Sequence, residues 1–125
     1  MIHHVSLGTN DLDRARAFYD PVLQTLGLRL IQADGESLDY GASDIFFSLE
    51  TPVNKSRASA GNGTHVAFQA RDRAAVQDFH RTALANGGSD AGEPGIRAQY
   101  DQHYYGAFVL DPDGNKIEAV TYSAK

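Results

Sequence analysis

The sequence predicts an α+β domain made of two tandem βαβββ modules. Three observations carry this. First, the chain repeats itself. His4-Val5-Ser6-Leu7 falls on His65-Val66-Ala67-Phe68, an offset of 61 residues. At the same offset Asp11 falls on Asp72, Ala15 on Val76, Phe18 on Phe79, Gly27 on Gly88, Phe47 on Phe108 and Leu49 on Leu110. Second, each copy opens with an alternating, strand-like segment and continues into apolar residues at helical spacing. Third, 125 residues with 42% hydrophobic and 22% charged residues suffice for one hydrophobic core and little more.

His4 to Leu7 alternates polar and apolar, as a half-buried strand does. Asn10 or Asp11 is placed to cap the helix that follows, because a short polar side chain accepts from the free N–H groups of a first turn. Leu12, Ala15, Phe18, Val22 and Leu26 form its apolar stripe. Pro21 lacks an N–H and predicts a break or kink there, with Asp20 recapping the second piece. Gly27 suits a left-handed helix end. Strands are expected around Leu28–Gln32, Ser37–Tyr40 and Ile45–Leu49, closing a first module over residues 1–50. Residues 51–63 are rich in Ser, Asn, Gly and Ala without periodicity and read as a mobile connector. The second module, 64–122, runs in parallel. It has a strand at Thr64–Gln69 and a helix capped by Asp72 with Val76, Phe79 and Ala83 on its stripe. Asn86-Gly87-Gly88 stops that helix. A weak strand near Ala91–Pro94 precedes strands at Tyr104–Leu110 and Asn115–Thr121. Asp111-Pro112-Asp113-Gly114 between the last two favours a tight reversal.

Several function classes are excluded. With no cysteine there are no disulfides, thiolate metal sites or cysteine nucleophiles. A net charge of −5 lacks the basic footprint of nucleic-acid binding. No apolar run approaches a membrane span. Met1-Ile2-His3-His4 has no charged segment leading into an apolar one, so a cytoplasmic protein without a signal peptide is expected.

Strand parity sorts the chemistry-bearing residues. Val5 and Leu7 share one face, with His4 and Ser6 on the other. Val66 and Phe68 face the helix, while His65, Ala67 and Gln69 face away. Ile117 and Ala119 face one way, and Lys116, Glu118 and Val120 the other. His4, His65 and Glu118 therefore all project from the helix-free side. Two imidazoles and a carboxylate suit a divalent transition metal, and three protein ligands leave positions open for substrate. For each residue the plainer reading, a packed or surface side chain, stands beside this one. Parity sends His3 to the helix side; His80 is expected on a helix surface and His103 in a loop or at a strand start, both solvated. Tyr104, Gly106 and Phe108 share parity and are placed to line a cavity, with Tyr100 and Tyr105 nearby. Arg97, Lys55 and Arg57 are loop cations able to hold an anionic group.

The opening Ile-His-His-Val-Ser-Leu…Asp-Leu-Asp-Arg-Ala-Arg-Ala-Phe-Tyr…Leu-Gly-Leu, the mid-chain Thr-His-Val-Ala-Phe and the ending Leu-Asp-Pro-Asp-Gly-Asn-Lys-Ile-Glu-Ala-Val resemble the vicinal oxygen chelate superfamily. That superfamily includes glyoxalase I, fosfomycin-thiol transferases, extradiol dioxygenases and bleomycin-resistance proteins. The resemblance spans nearly the whole chain. It implies a glyoxalase-like fold whose mixed sheets curl into a cup, and a metal held by His4, His65 and Glu118, with Glu118 doubling as proton shuttle. It implies a divalent Mn, Fe, Co, Ni or Zn ion, a small-molecule substrate with vicinal oxygens, and a homodimer in which His4 meets His65 and Glu118 of the other chain. Lyase, isomerase, transferase and dioxygenase chemistry all fall within it. So does the alternative of a non-catalytic protein that sequesters a small molecule.

Two departures bear on the choice. The carboxylate that serves glyoxalase I as a fourth ligand is matched by Ser48, a poor ligand better suited to touching substrate; Glu50 shares its parity. Fosfomycin enzymes resemble this chain in the two-His, one-Glu set, but carry a tyrosine where this sequence has Phe108. The substrate contacts expected are Ser48, Tyr104, Phe108 and Arg97.

Overall fold

The computed structural model describes residues 1–125. The chain runs β1 (Val5–Gly8), α1 (Leu12–Gln24), β2 (Arg29–Ala33), β3 (Ser37–Gly41), β4 (Ile45–Glu50), β5 (His65–Gln69), α2 (Arg73–Ala85), β6 (Ser89–Ile96), β7 (Tyr105–Leu110) and β8 (Lys116–Thr121). These are two βαβββ modules, as the repeat predicts. Each forms its own four-stranded mixed sheet, with orders β1-β4-β3-β2 and β5-β8-β7-β6. In both, the first strand pairs in parallel with the last, and the remaining ladders are antiparallel. Neither sheet closes, and no ladder joins the two.

The helices begin as their caps dictate. Asp11 accepts from the Arg14 N–H at 3.0 Å and Asp72 from the Ala75 N–H at 2.9 Å. α1 ends where Gly27 takes φ +78°, a left-handed turn that an L side chain resists. Phe18, Val22, Val76 and Phe79, all on the predicted stripes, are fully buried. The two modules share one core through their helix-bearing faces, where Phe47 meets Phe68 edge-on at 5.0 Å between ring centroids.

Four expectations need correction. Pro21 does not break the helix: α1 is continuous through it. Buried Phe18, Tyr19, Val22 and Leu23 flank the proline and hold the segment against the sheet, so packing outweighs one missing hydrogen bond. Asp20 is no cap. Its carboxylate accepts from Tyr40 Oη at 2.8 Å and Arg16 Nε at 3.3 Å.

The repeat does not keep its register to the end. The 61-residue offset holds through both helices, each 13 residues long. Then β6 runs eight residues with two register shifts. Residues 97–104 follow it as a turn, so the second module is longer than the first. β4 is therefore matched by β8 rather than β7. Val5 pairs with Phe47 and Val66 with Ile117. Phe47 thus corresponds to Ile117, and Phe108 corresponds to Asp39 on β3.

His80 is not on the surface. It is 8% exposed, and its Nε2 lies 2.9 Å from Asp90 Oδ1. The matching position in α1 is Tyr19, which is fully buried and donates to Asp111 Oδ2 at 2.6 Å. Both helices thus bury a polar-tipped aromatic ring against a carboxylate.

The connector, 51–63, has no helix or strand. It is pinned where the Asn10 side-chain amide exchanges hydrogen bonds with the Ala58 backbone at 2.7 and 3.0 Å. No helix is long and apolar enough to cross a membrane.

Candidate metal centre

β5 and β8 lie side by side in parallel, with His65 opposite Lys116 and Ala67 opposite Glu118. Both His65 and Glu118 project from the helix-free face, as parity predicts. His65 Nε2 lies 3.2 Å from Glu118 Oε1. The imidazole is 45% exposed and the carboxylate only 1%. A carboxylate so buried needs partners. Its second oxygen, Oε2, accepts a short hydrogen bond from the Tyr104 hydroxyl. Burial first, then the hydrogen bond and the charge of Glu118, push the Tyr104 phenol above its ordinary range, so it stays a donor. Gly106 completes the cradle: a Cβ there would stand 3.0 Å from Glu118 Oε2 and 3.2 Å from the Tyr104 ring. Tyr104 thus supports the carboxylate directly through its hydroxyl.

The spacing of the pair is that of a hydrogen bond and is also compatible with two ligands of one ion. Two donors each about 2.1 Å from one ion stand roughly 3.0 Å apart at a right angle and 3.4 Å apart at a tetrahedral angle. The observed 3.2 Å lies between these. Tyr104 would serve as the outer hydrogen bond that orients a ligating carboxylate.

Within one chain no third His, Cys, Asp or Glu joins the pair to make a set of three. His4 lies just before β1, exposed, its Nδ1 2.9 Å from His3 Nδ1. It lines a cavity of about 380 Å³ together with Ile2, Phe46, Ala67 and Gln69. His103 sits exposed in the turn before β7.

Ser48 is buried on the helix-free face of the first sheet and donates to Asp39 Oδ1 at 2.7 Å. Glu50 accepts from Ser6 Oγ at 3.3 Å. Asp39 carried no signal in the sequence, because parity within one strand does not say what faces it across the ladder. Phe108 stands directly opposite Glu118 in the β7–β8 ladder. Its ring lies against the His65 imidazole, with centroids 6.2 Å apart and planes 25° apart. Arg97 Cζ is 5.4 Å and Lys116 Nζ 5.0 Å from the Phe108 centroid. Of the expected substrate contacts, Phe108, Arg97 and Tyr104 gather around the His65–Glu118 pair, whereas Ser48 belongs to the other sheet.

The family model of the Glyoxalase/Bleomycin resistance protein/Dioxygenase superfamily matches residues 1–119. A glyoxalase/bleomycin resistance protein from Albidiferax ferrireducens superposes with a TM-score of 0.87 at 38% identity, covering 94% of this chain and 95% of that one. A lactoylglutathione lyase from Agrobacterium tumefaciens gives a TM-score of 0.65 at 25% identity, covering 96% and 92%. A fosfomycin resistance protein from Mesorhizobium loti gives 0.69 at 17% identity, covering 97% and 91%, a likeness of fold alone. No curated protein matches the chain. Two βαβββ modules, a family model spanning nearly all of the sequence and a 38% identical relative of almost equal length agree: the chain belongs to the glyoxalase/bleomycin resistance protein/dioxygenase superfamily.

Proposed function

We propose that this protein is a metal-dependent enzyme acting on a small substrate with two adjacent oxygens, through a site shared between two copies of the chain. The observation that carries the reading is the His65–Glu118 pair: 3.2 Å apart, its carboxylate buried, hydrogen-bonded by Tyr104 and given room by Gly106. His65 and Glu118 are the ligands from one chain, and His4 of the partner subunit is the third. Ile2 and Phe46, 79% and 38% exposed beside His4, favour coverage of that end by another chain.

A divalent ion at this position supplies Lewis-acid stabilisation of an oxyanion developing on the substrate. The chain's own groups do the rest. Tyr104 holds one oxygen of Glu118, leaving the other facing His65. Glu118 doubles as proton shuttle. The Phe108 ring stands on one side of the imidazole. The relatedness to a lactoylglutathione lyase supports chemistry on an oxygen-bearing carbon skeleton.

The test is metal content and complementation. Untagged protein purified without chelator is expected to carry one divalent ion per chain, lost in His4→Ala, His65→Ala and Glu118→Ala. Unfolding and remixing His4→Ala with Glu118→Ala should restore about one quarter of the sites, because half the random dimers are mixed and each holds one intact set. Turnover of 2-oxoaldehyde–thiol adducts or catechols by the loaded protein then identifies the reaction. Metal-free protein that still binds small molecules tightly would instead establish sequestration. Metal retained in all three variants would overturn the site.

A further inference from the structure

The face that carries His65 and Glu118 also carries positive charge that the protein leaves unneutralised. The chain as a whole is acidic, with 16 Asp and Glu against 11 Lys and Arg. Arg14, Arg16, Lys55, Arg71 and Arg81 each have a carboxylate within 4 Å. Arg97 and Lys116 have none, like Arg29, Arg57, Arg73 and Lys125, but they are the two that lie against Phe108 beside the His65–Glu118 pair. The carboxylate placed beside them on this face, Glu118, is already engaged by His65 and Tyr104.

Arg97 is nonetheless fixed. Its Nη1 donates to the Gly95 carbonyl at 2.9 Å and its Nη2 to the Glu93 carbonyl at 2.7 Å. A guanidinium has five N–H groups, so about three remain free. The guanidinium lies where two side chains are missing: a Cβ on Gly92 or on Gly95 would stand 3.2 Å from a guanidinium nitrogen. Gly92 takes φ +159° there and bulges the ladder. β6 is thus shaped to seat a guanidinium on backbone carbonyls rather than on an acid. Lys116, exposed at the start of β8, spends no donor on the protein.

Both cations lie against Phe108. An aromatic face attracts a cation through its quadrupole and orients it without cancelling its charge. Carbonyl oxygens do the same, since they are dipoles and not charges. An arginine meant only for solubility gains nothing from being held in this way, and its ordering costs side-chain entropy. Two cations fixed but not neutralised, beside a candidate metal pair, are preorganised for an anion.

We propose that Arg97 and Lys116, held on the Phe108 ring beside His65 and Glu118, form an oxyanion-binding site, so that the substrate of this protein carries a carboxylate or a phosphoryl-type group next to the oxygens that meet the metal. The proposal rests on the metal-site reading above and deepens it by naming the substrate class. The planar fork of Arg97 suits two oxygens of one group, and Lys116 supplies a point charge.

The experiment uses protein as purified and three probes by calorimetric titration: pyruvate, its uncharged methyl ester, and inorganic phosphate. Pyruvate or phosphate is expected to bind, and whichever is tighter names the group. The methyl ester should bind at least tenfold more weakly than pyruvate if the carboxylate is the group recognised. Lys116→Met and Arg97→Met should each weaken the anion at least fivefold while metal content stays at the wild-type level. The Lys116 side chain is exposed and makes no hydrogen bond, so its variant folds even if loss of Arg97 disturbs β6. Absence of anion binding, equal binding of pyruvate and its ester without phosphate binding, or wild-type affinity in Lys116→Met overturns the proposal. Loss of metal in His65→Ala is the separate readout of the metal site, so failure of one reading is distinguishable from failure of the other.

Discussion

Ser48 occupies on β4 the position that Glu118 occupies on β8. Ser48 pairs with Ser6 of the first strand of its module, and Glu118 pairs with Ala67 of the first strand of its own. The duplicated fold therefore offers two equivalent places for an inward carboxylate, and this chain fills one. In the other, the serine hydroxyl turns to Asp39, one strand away, at 2.7 Å. Ser48→Ala should leave Asp39 Oδ1 without that donor. The expected cost is about 1 kcal/mol, read as a lower urea midpoint with an unchanged slope, and metal content should not change.

The equivalence of Ser48 and Glu118 also marks how far the sequence is legible. The helix-free placement of His65 and Glu118 is legible because side-chain alternation is a local property of each strand. The Asp11 and Asp72 caps, the Gly27 helix end and the Asp-Pro-Asp-Gly turn were legible for the same reason. Which residue stands beside which across a ladder is not local. It depends on β6, whose bulges at Gly92 add residues to the second module and shift its last strands out of the 61-residue offset. Phe47 and Phe108 aligned in sequence but lie on non-equivalent strands, and Asp39 escaped notice. Pro21 and His80 misled for a related reason. Local propensity argued for a break and for exposure, whereas tertiary packing kept one helix continuous and buried the other's imidazole.

The turn between β7 and β8 joins the modules. Asp113 accepts from Thr9 Oγ1 at 2.5 Å, from the Asn10 N–H at 3.0 Å and from Arg14 Nη2 at 2.7 Å, all at the start of α1. Its side chain is 4% exposed. Asp113→Ala removes the acceptor from all three donors at once and should cost about 2–4 kcal/mol. Denaturant unfolding measures it. A loss below about 0.5 kcal/mol would mean that water replaces the carboxylate at no penalty.

The His80–Asp90 contact should appear in the acid limb of stability. Hydrogen bonds from His80, then from the Gly92 N–H, hold the Asp90 carboxyl below its ordinary range. The folded state thus binds this proton less tightly than the unfolded chain. The contribution is complete above the ordinary carboxylate range near pH 4 and disappears as pH falls through the depressed value. Asp90→Asn should therefore be less stable than the parent at pH 7, with the gap closing as pH falls below the ordinary carboxylate range. A gap that is constant over this range would locate the effect in packing rather than in ionisation.

Tyr104 and Gly106 test the cradle of Glu118 without touching a proposed ligand. Tyr104→Phe removes the donor to Oε2 and keeps the ring that packs against Tyr100 and Tyr122. Outer hydrogen bonds to ligating groups typically change metal affinity about 10–100-fold, so chelator competition should show a loss of that order with a small change in stability. Gly106→Ala acts sterically. Its new methyl would meet Oε2 at 3.0 Å and must push the carboxylate, which is enclosed on every side. Overpacking of this kind costs about 1–3 kcal/mol. If both variants kept wild-type metal affinity, Glu118 would owe its position to something other than these two residues. If Tyr104→Phe lowered affinity while Ser48→Ala did not, the asymmetry between the two equivalent positions would be functional, with one module built to hold a carboxylate and the other not.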